Sequence, residues 1–409
     1  MKRSVRLVAW LSFALGGSLA IAAEEAGKPI PEVGTGKEGK PAVEVVFVLD
    51  TTGSMSGLIQ AAQEKIWAIA NTLATAKPAP TIKMGLVGYR DRGDAYVTKV
   101  TDLTDDLDAV HKELMGFRAE GGGDGPESVN QALHEALTKI KWSADDKTYR
   151  VIFLVGDAPP HTDYKDDVQY PASCEQAAKQ SIVINTIQCG SQTDTTPVWT
   201  KIAQLAEGKY FRVEQSGGAV LAATPFDEKL AKLDGELSAT RVYYGAERER
   251  RALADKLDAA DAEADAAPAT AKAGRAEFRA KESGKAAFGG GLGGLGGGGV
   301  GAAELVQDFA DGRVNPADLD KLAGEKKLPE ALLKMTEAER KEYLEQQAAR
   351  RDEIRKQIEQ VSQQRQDYIK QEIEKKSGGK KDSLDQAIFD AVRAQAAPRG
   401  LKYEGGPKY

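Results

Sequence analysis

Histidine and cysteine are almost missing: the 409 residues hold three of the first and two of the second. His111 and His134 fall in helical stretches with no metal-ligand partner four residues on, so the chain carries no signal for a nitrogen- and sulfur-based zinc site. Basic excess is also lacking. The formal charge is −6, and no basic stretch interleaved with aromatics relieves it, which excludes nucleic acid as a partner. Beyond the N-terminus no segment stays apolar for the roughly 20 residues a membrane span requires. No lysine follows a glycine turn in the pattern of a nucleotide-binding P-loop. Ser/His/Asp and Cys/His sets have no recognisable setting either, so the chain reads as a non-enzyme.

What the N-terminus does have is the layout of an export signal. Lys2, Arg3 and Arg6 precede the apolar stretch LVAWLSFALGGSLAIA, which closes on small residues near Ala22. Residues 1–22 are therefore expected to be removed, leaving a more acidic periplasmic or extracellular protein with no transmembrane segment. In that compartment Cys174 and Cys189 are free to form a disulfide, with two buried thiols as the alternative.

Residues 23–41, rich in Gly, Pro, Lys and Glu, read as a leader without a core. From 42 to 236 short apolar runs alternate with amphipathic stretches. The runs are VEVVFVLD (43–50), IKMGLVGYRD (82–91), RVIFLVGD (150–157), SIVINTIQC (181–189) and KYFRV (209–213). Such alternation predicts an α/β fold, a Rossmann-like doubly wound, mostly parallel sheet. VTKVTDL (97–103) follows its predecessor too closely for a helical crossover and is read as one antiparallel edge strand. In this architecture the loops after parallel strands gather along one sheet edge, where ligands bind. That edge should carry Asp50 to Ser56, Asp91 to Asp94 and Asp157 to Asp163.

The first loop, DTTGSM, can aim the carboxylate of Asp50 and the hydroxyls of Thr52 and Ser54 at one point, and such hard oxygen ligands suit Mg²⁺, Mn²⁺ or Ca²⁺. Three ligands are too few. GGGDGPE (121–127) and DAPPH (157–161) offer more, through Asp124 or Glu127 and through Asp157. A helix cap would explain the first loop alone, but it does not require the other two.

In combination these motifs resemble the metal-ion-dependent adhesion site of von Willebrand factor type A domains, over about residues 42–225. The branch with DTTGSM, GYRDxGD, GGGDGPE and DAPxH, also found beside α-kinase domains, is the most similar; here the motifs stand at 50–55, 88–94, 121–127 and 157–161. The resemblance implies that Asp50, Thr52, Ser54 and Asp157 hold the metal directly or through water. Many members supply a threonine from the second loop, whereas this chain presents Asp124 there, with Glu127 as the second choice. It further implies a non-enzymatic, metal-bridged capture of an Asp or Glu on a partner protein. Haloacid-dehalogenase-type phosphatases also begin at a strand-end Asp, but they use D-x-D. Position 52 here is Thr, which removes their general acid/base and weakens the alternative of a metal-assisted hydrolase.

Past residue 236 Ala, Glu, Lys and Gln take over. Residues 237–283 read as helical, 284–302 (GGGLGGLGGGGVG at its centre) as a flexible linker, 303–397 as a helical, coiled-coil-like tail, and 398–409 as a disordered end. Thr336 and Glu339 form a capping box ahead of a long polar helix. Ile354, Ile358, Val361 and Tyr368 make a short heptad seam with Arg365 at the skipped position. The seam over 336–376 could join another copy, making a structural assembly protein, or pack within the chain, with 383–396 as its partner helix.

Overall fold

Buried Val, Ile, Phe and Leu of β-strands eight and nine residues long give the sheet its centre. The computed structural model describes residues 41–123, 125–213, 223–282, 303–377 and 384–407; the expected signal segment, nearly all of the leader, Asp124 and the glycine-rich stretch lie outside them. The strands are β1 (Ala42–Asp50), β2 (Thr81–Tyr89), β3 (Thr98–Thr104), β4 (Tyr149–Gly156), β5 (Ile182–Cys189) and β6 (Tyr210–Val213), in the spatial order β3-β2-β1-β4-β5-β6. β1 pairs in parallel with β2 and β4, and β5 pairs in parallel with β4 and β6. β3 is the antiparallel edge strand, as the short connection requires. Its half-buried residues contrast with the full burial of β4.

Helices cover both faces, which is why the central strands read as continuous apolar runs. On one face, α1 (Ile59–Leu73) and α2 (Leu107–Gly116) pack over Val43, Val45, Phe47 and Leu49 of β1. On the other, α3 (Val129–Thr138), α4 (Tyr170–Lys179) and α5 (Thr195–Leu205) pack over Val46 and Val48. Strand alternation therefore sorts every side chain to one of two cores. It separates the cysteines. Cys174 on α4 lies in the second core with Ile182 and Ile184, and Cys189 lies in the first with Ile187. Both are free and buried, so the expected disulfide does not form in this arrangement. Burial pushes the Cys174 thiol up to about 12 and raises that of Cys189 as well.

The helices after β6 belong to the same compact unit as the sheet. They are α6 (Asp227–Ser238), α7 (Glu247–Ala266), α8 (Ala269–Glu282), α9 (Leu305–Ala310), α10 (Pro316–Gly324), α11 (Glu330–Leu333), α12 (Glu337–Ser377) and α13 (Leu384–Ala396). A two-residue pair, β7 (Tyr243–Tyr244) and β8 (Ala303–Glu304), ties the connection down. Thr336 and Glu339 cap α12 reciprocally, Thr336 N donating to Glu339 Oε2 at 2.7 Å. None of the described helices is long and apolar enough to cross a membrane.

The seam of α12 is used within the chain. Ile354, Ile358 and Val361 pack on Leu230, Leu233 and Leu237 of α6 and on Ala273 and Ala276 of α8, and Tyr368 meets Phe226 edge-on at 6.1 Å. Of the two uses open to the seam, packing within the chain is the one seen, and Ile354, Ile358 and Val361 are not left as a stripe for a second copy. The partner helix differs, because residues 384–396 dock on the sheet face beside α1 and not along α12. Leu401 and Tyr403, in the stretch expected to be disordered, are 0% and 5% exposed in the same core.

Arg365 replaces an apolar seam residue because two carboxylates face it. Its Nε donates to Asp227 Oδ1 at 2.7 Å, a guanidinium nitrogen lies 3.4 Å from Glu277 Oε1, and all three side chains are at most 2% exposed. Arg365→Ala would leave buried acids uncompensated, and its expected cost in urea denaturation is about 3–5 kcal/mol. A loss below about 1 kcal/mol would mean that water reaches those acids on truncation.

Candidate metal centre

The strand order reverses between β1 and β4, and ligands of open α/β sheets bind outside the carboxyl ends of the strands at such a point. β1 ends there in Asp50, and Asp157 follows the last residue of β4. Asp50 is fully buried and closes its own loop: Oδ1 accepts from the Thr52 amide at 2.9 Å and from the Thr52 hydroxyl at 2.6 Å. The Thr52 hydroxyl lies 3.0 Å from that of Ser54, which donates to Asp157 Oδ1 at 2.9 Å. Asp50, Thr52, Ser54 and Asp157 thus form one continuous chain of oxygens, and the exposed Ser54 gives it an outlet to solvent. Thr51 points the other way, to the Tyr89 carbonyl at 2.9 Å and the Tyr96 hydroxyl at 2.7 Å. Only alternate hydroxyls reach the site.

The second loop is held against the first by backbone. Gly53 N donates to Gly121 O at 3.0 Å and Glu120 N to Thr51 O at 3.0 Å. Gly121 and Gly122 both have φ of +75°, which suits glycine, and a Cβ on Gly121 would stand 2.4 Å from Asp94 Oδ1. Asp94 fastens this turn by accepting from Gly122 N at 2.9 Å. Asp91 accepts from Ser128 Oγ at 2.9 Å and from the Tyr164 hydroxyl, and His161 Nε2 is 3.3 Å away. The third loop is tied in by Glu127 N to Pro159 O at 2.9 Å and His161 N to Glu127 O at 3.1 Å. The GYRDRGD motif therefore acts as scaffold. Arg92 is occupied by Asp166 and Asp167 and lies over the Tyr164 ring, so Arg92-Gly93-Asp94 is not displayed as a free tripeptide.

Asp124 lies outside the described residues, and the acid that the second loop is seen to bring to the site is Glu127. It is 2% exposed, with Oε1 facing Gly122 beside Thr52. Burial, then the charge of Asp50, pushes its pKa up to about 9. Burial likewise lifts Asp50 to about 7, with Asp157 adding to it and the Thr52 hydrogen bonds opposing it. Asp157 is raised by burial and partly restored by Ser54. The charges acting on Asp50 and Glu127 are those of other carboxylates.

Asp50 Oδ2 and Glu127 Oε2 are buried without a hydrogen-bond partner among the described residues. Orphaned carboxylate oxygens in a low-dielectric pocket cost free energy unless a cation or donor meets them, so the donor set fits a hard divalent ion. Among the described residues no three His, Cys, Asp or Glu side chains gather closely enough to hold an ion alone, so the hydroxyls of Thr52 and Ser54 are needed. Sequence reasoning missed two neighbours, Tyr89 and Gly156. Tyr89 pairs with Asp50 across β1 and β2, and a Cβ on Gly156 would come within 3 Å of both side chains. Strand-end register is the signal that could have found them.

A family model for the von Willebrand factor A domain matches residues 44–224. The chain is similar to a protein named as an ariadne-like RING finger protein of Acanthamoeba polyphaga mimivirus, at 22% identity over 239 residues, 54% of this chain and 23% of that protein. It is also similar to von Willebrand factor A domain-containing protein 7 of Rattus norvegicus, at 35% identity over 120 residues, 29% of this chain and 12% of that protein. It therefore spans less than a quarter of the length of these curated relatives. Among solved structures, proximal thread matrix protein 1 from the mussel byssus, with a zinc-occupied metal-ion-dependent adhesion site, matches at 14% identity and a TM-score of 0.35, covering 43% of each chain.

Proposed function

We propose that residues 44–224, which match a family model for the von Willebrand factor A domain, are a metal-dependent binding module, since such domains generally mediate protein–protein interaction. Asp50, Thr52, Ser54 and Asp157 would hold a divalent cation, Mg²⁺ first, with Glu127 and Asp124 as the second-loop candidates. When bound, the ion supplies an open coordination position to a carboxylate of a partner protein. The observation that carries this reading is the unbroken hydrogen-bonded chain from Asp50 to Asp157, whose first member keeps a buried Oδ2 with no hydrogen-bond partner among the described residues.

The chain's own residues set the charge. At neutral pH Glu127, lifted to about 9, keeps its proton. Asp50, lifted to about 7, is about half ionised at that pH without a cation; a bound dication would favour its charged form, so that Asp50 and Asp157 would supply two negative charges to match it. No residue is assigned a catalytic role. The expected export signal would put the module in the periplasm or outside the cell.

The test combines calorimetric titration of Mg²⁺ and Mn²⁺ with pull-downs from native envelope extract in Mg²⁺ or EDTA. Wild-type protein should bind the ion and retain a partner only in Mg²⁺, and Asp50→Ala should lose both. Capture that survives EDTA or Asp50→Ala, or Mg²⁺-dependent turnover of a phosphoester, would overturn the proposal.

A further inference from the structure

Two buried hydroxyl and carboxylate atoms under the site face the same small gap. Tyr89 is 0% exposed at the end of β2, in register with Asp50 at the end of β1. Its hydroxyl and Asp50 Oδ2 both lack a hydrogen-bond partner among the described residues. From the place where a Gly156 Cβ would stand, the Tyr89 hydroxyl is 2.5 Å away and Asp50 Oδ2 is 2.9 Å away. Any side chain at 156 would fill that space, so glycine keeps it open for these two groups.

We infer that Tyr89 is a positioning residue for the cation site, its hydroxyl donating toward Asp50 Oδ2 across the gap left by Gly156, directly or through one water. The inference rests on the cation reading above. An unpaired buried hydroxyl and an unpaired carboxylate oxygen would each cost about 1–3 kcal/mol, and native interiors rarely leave such groups side by side without a bond between them. One water held by polar groups on both sides meets the need where the atoms do not touch. The phenol keeps its proton for this bond, because burial and then the nearby charge of Asp50 raise its pKa well above the ordinary value. Asp50 would then be fixed through both oxygens, Oδ1 by Thr52 and Oδ2 by Tyr89, before any cation arrives. Outer partners of ligating side chains typically change metal affinity by about 10–100-fold when removed.

The experiment compares full-length wild type with Tyr89→Phe, reading Mn²⁺ affinity by calorimetry, the electron paramagnetic resonance spectrum of bound Mn²⁺, and the metal-free melting temperature. Tyr89→Phe should bind Mn²⁺ about 10–100-fold more weakly, with an altered zero-field splitting and a metal-free melt lowered only by the few degrees that one lost hydrogen bond costs. Equal affinity and an equal spectrum would overturn the inference and leave the cation reading standing. A Phe variant that fails to fold without metal would overturn it as well, because the hydroxyl would then be structural. A wild type that binds no Mn²⁺ would overturn the cation reading itself.

Discussion

Removal of residues 384–409 is expected to leave a chain that does not fold at 25 °C. α13 and the residues after it complete the core between α1 and the sheet: Ile388, Phe389, Val392, Leu401 and Tyr403 are all at most 5% exposed. Burying a large apolar side chain contributes about 1.5–3 kcal/mol, so these five together supply on the order of 10 kcal/mol, the size of a whole domain's net stability. Polar partners are lost with them. Tyr149 and Asn185 bond to Gln395 at 2.7 and 3.0 Å, and the buried Lys65 pairs with Asp385. Circular dichroism of the truncated protein should show no cooperative melt, and adding the 384–409 peptide should restore one. A truncated chain melting within a few degrees of wild type would show that α13 is an ornament on an independent domain.

The contrast between this helix and the sheet marks how far the sequence could be read. β1 and β4 announce themselves because burial on both faces makes them unbroken apolar runs, and the oxygen motif follows from where such runs stop. SLDQAIFDAVRAQA shows an amphipathic period, yet periodicity names the buried side without naming its neighbour. Its docking site is formed by residues some 200 to 350 positions earlier, and nothing local encodes that. The cysteines failed for a different reason. An oxidising compartment permits a bridge, while the alternation of β5 sends Ile184 to one face and Cys189 to the other. That parity was already present in the sequence. At the site, the acids and hydroxyls were legible from their chemistry, whereas Tyr89 and Gly156 act through position, and only the register of β1 with β2 and β4 brings them beneath Asp50.

The carboxyl cluster should also make the metal-free protein lose stability as pH rises, the reverse of ordinary acid denaturation. Asp50 goes from an ordinary value of 3.8 to about 7 in the fold, and Glu127 from 4.5 to about 9. Between those limits the folded state holds protons that the unfolded chain has released, so the slope of stability with pH is negative. The penalty is absent below about pH 4 and grows from there; the share of Asp50 levels off above about pH 7, where it ionises in the fold too, and that of Glu127 goes on growing to about pH 9. For the fully buried Asp50 alone, a rise from 3.8 to about 7 corresponds to about 4 kcal/mol. A divalent cation favours the ionised form and should reverse the loss, because whatever binds only the native state stabilises it by mass action. In EDTA the melting temperature of wild type should fall by roughly 10 °C between pH 5 and 8, and saturating Mg²⁺ or Mn²⁺ at pH 8 should recover it. Asp50→Asn should flatten the EDTA profile and abolish the cation response, since it removes the main charge at the strand end while keeping its shape. A metal-free melt that rises with pH across this window, or an Asn variant that still responds to the cation, would mean that the buried oxygens of Asp50 and Glu127 are met by some group other than a metal.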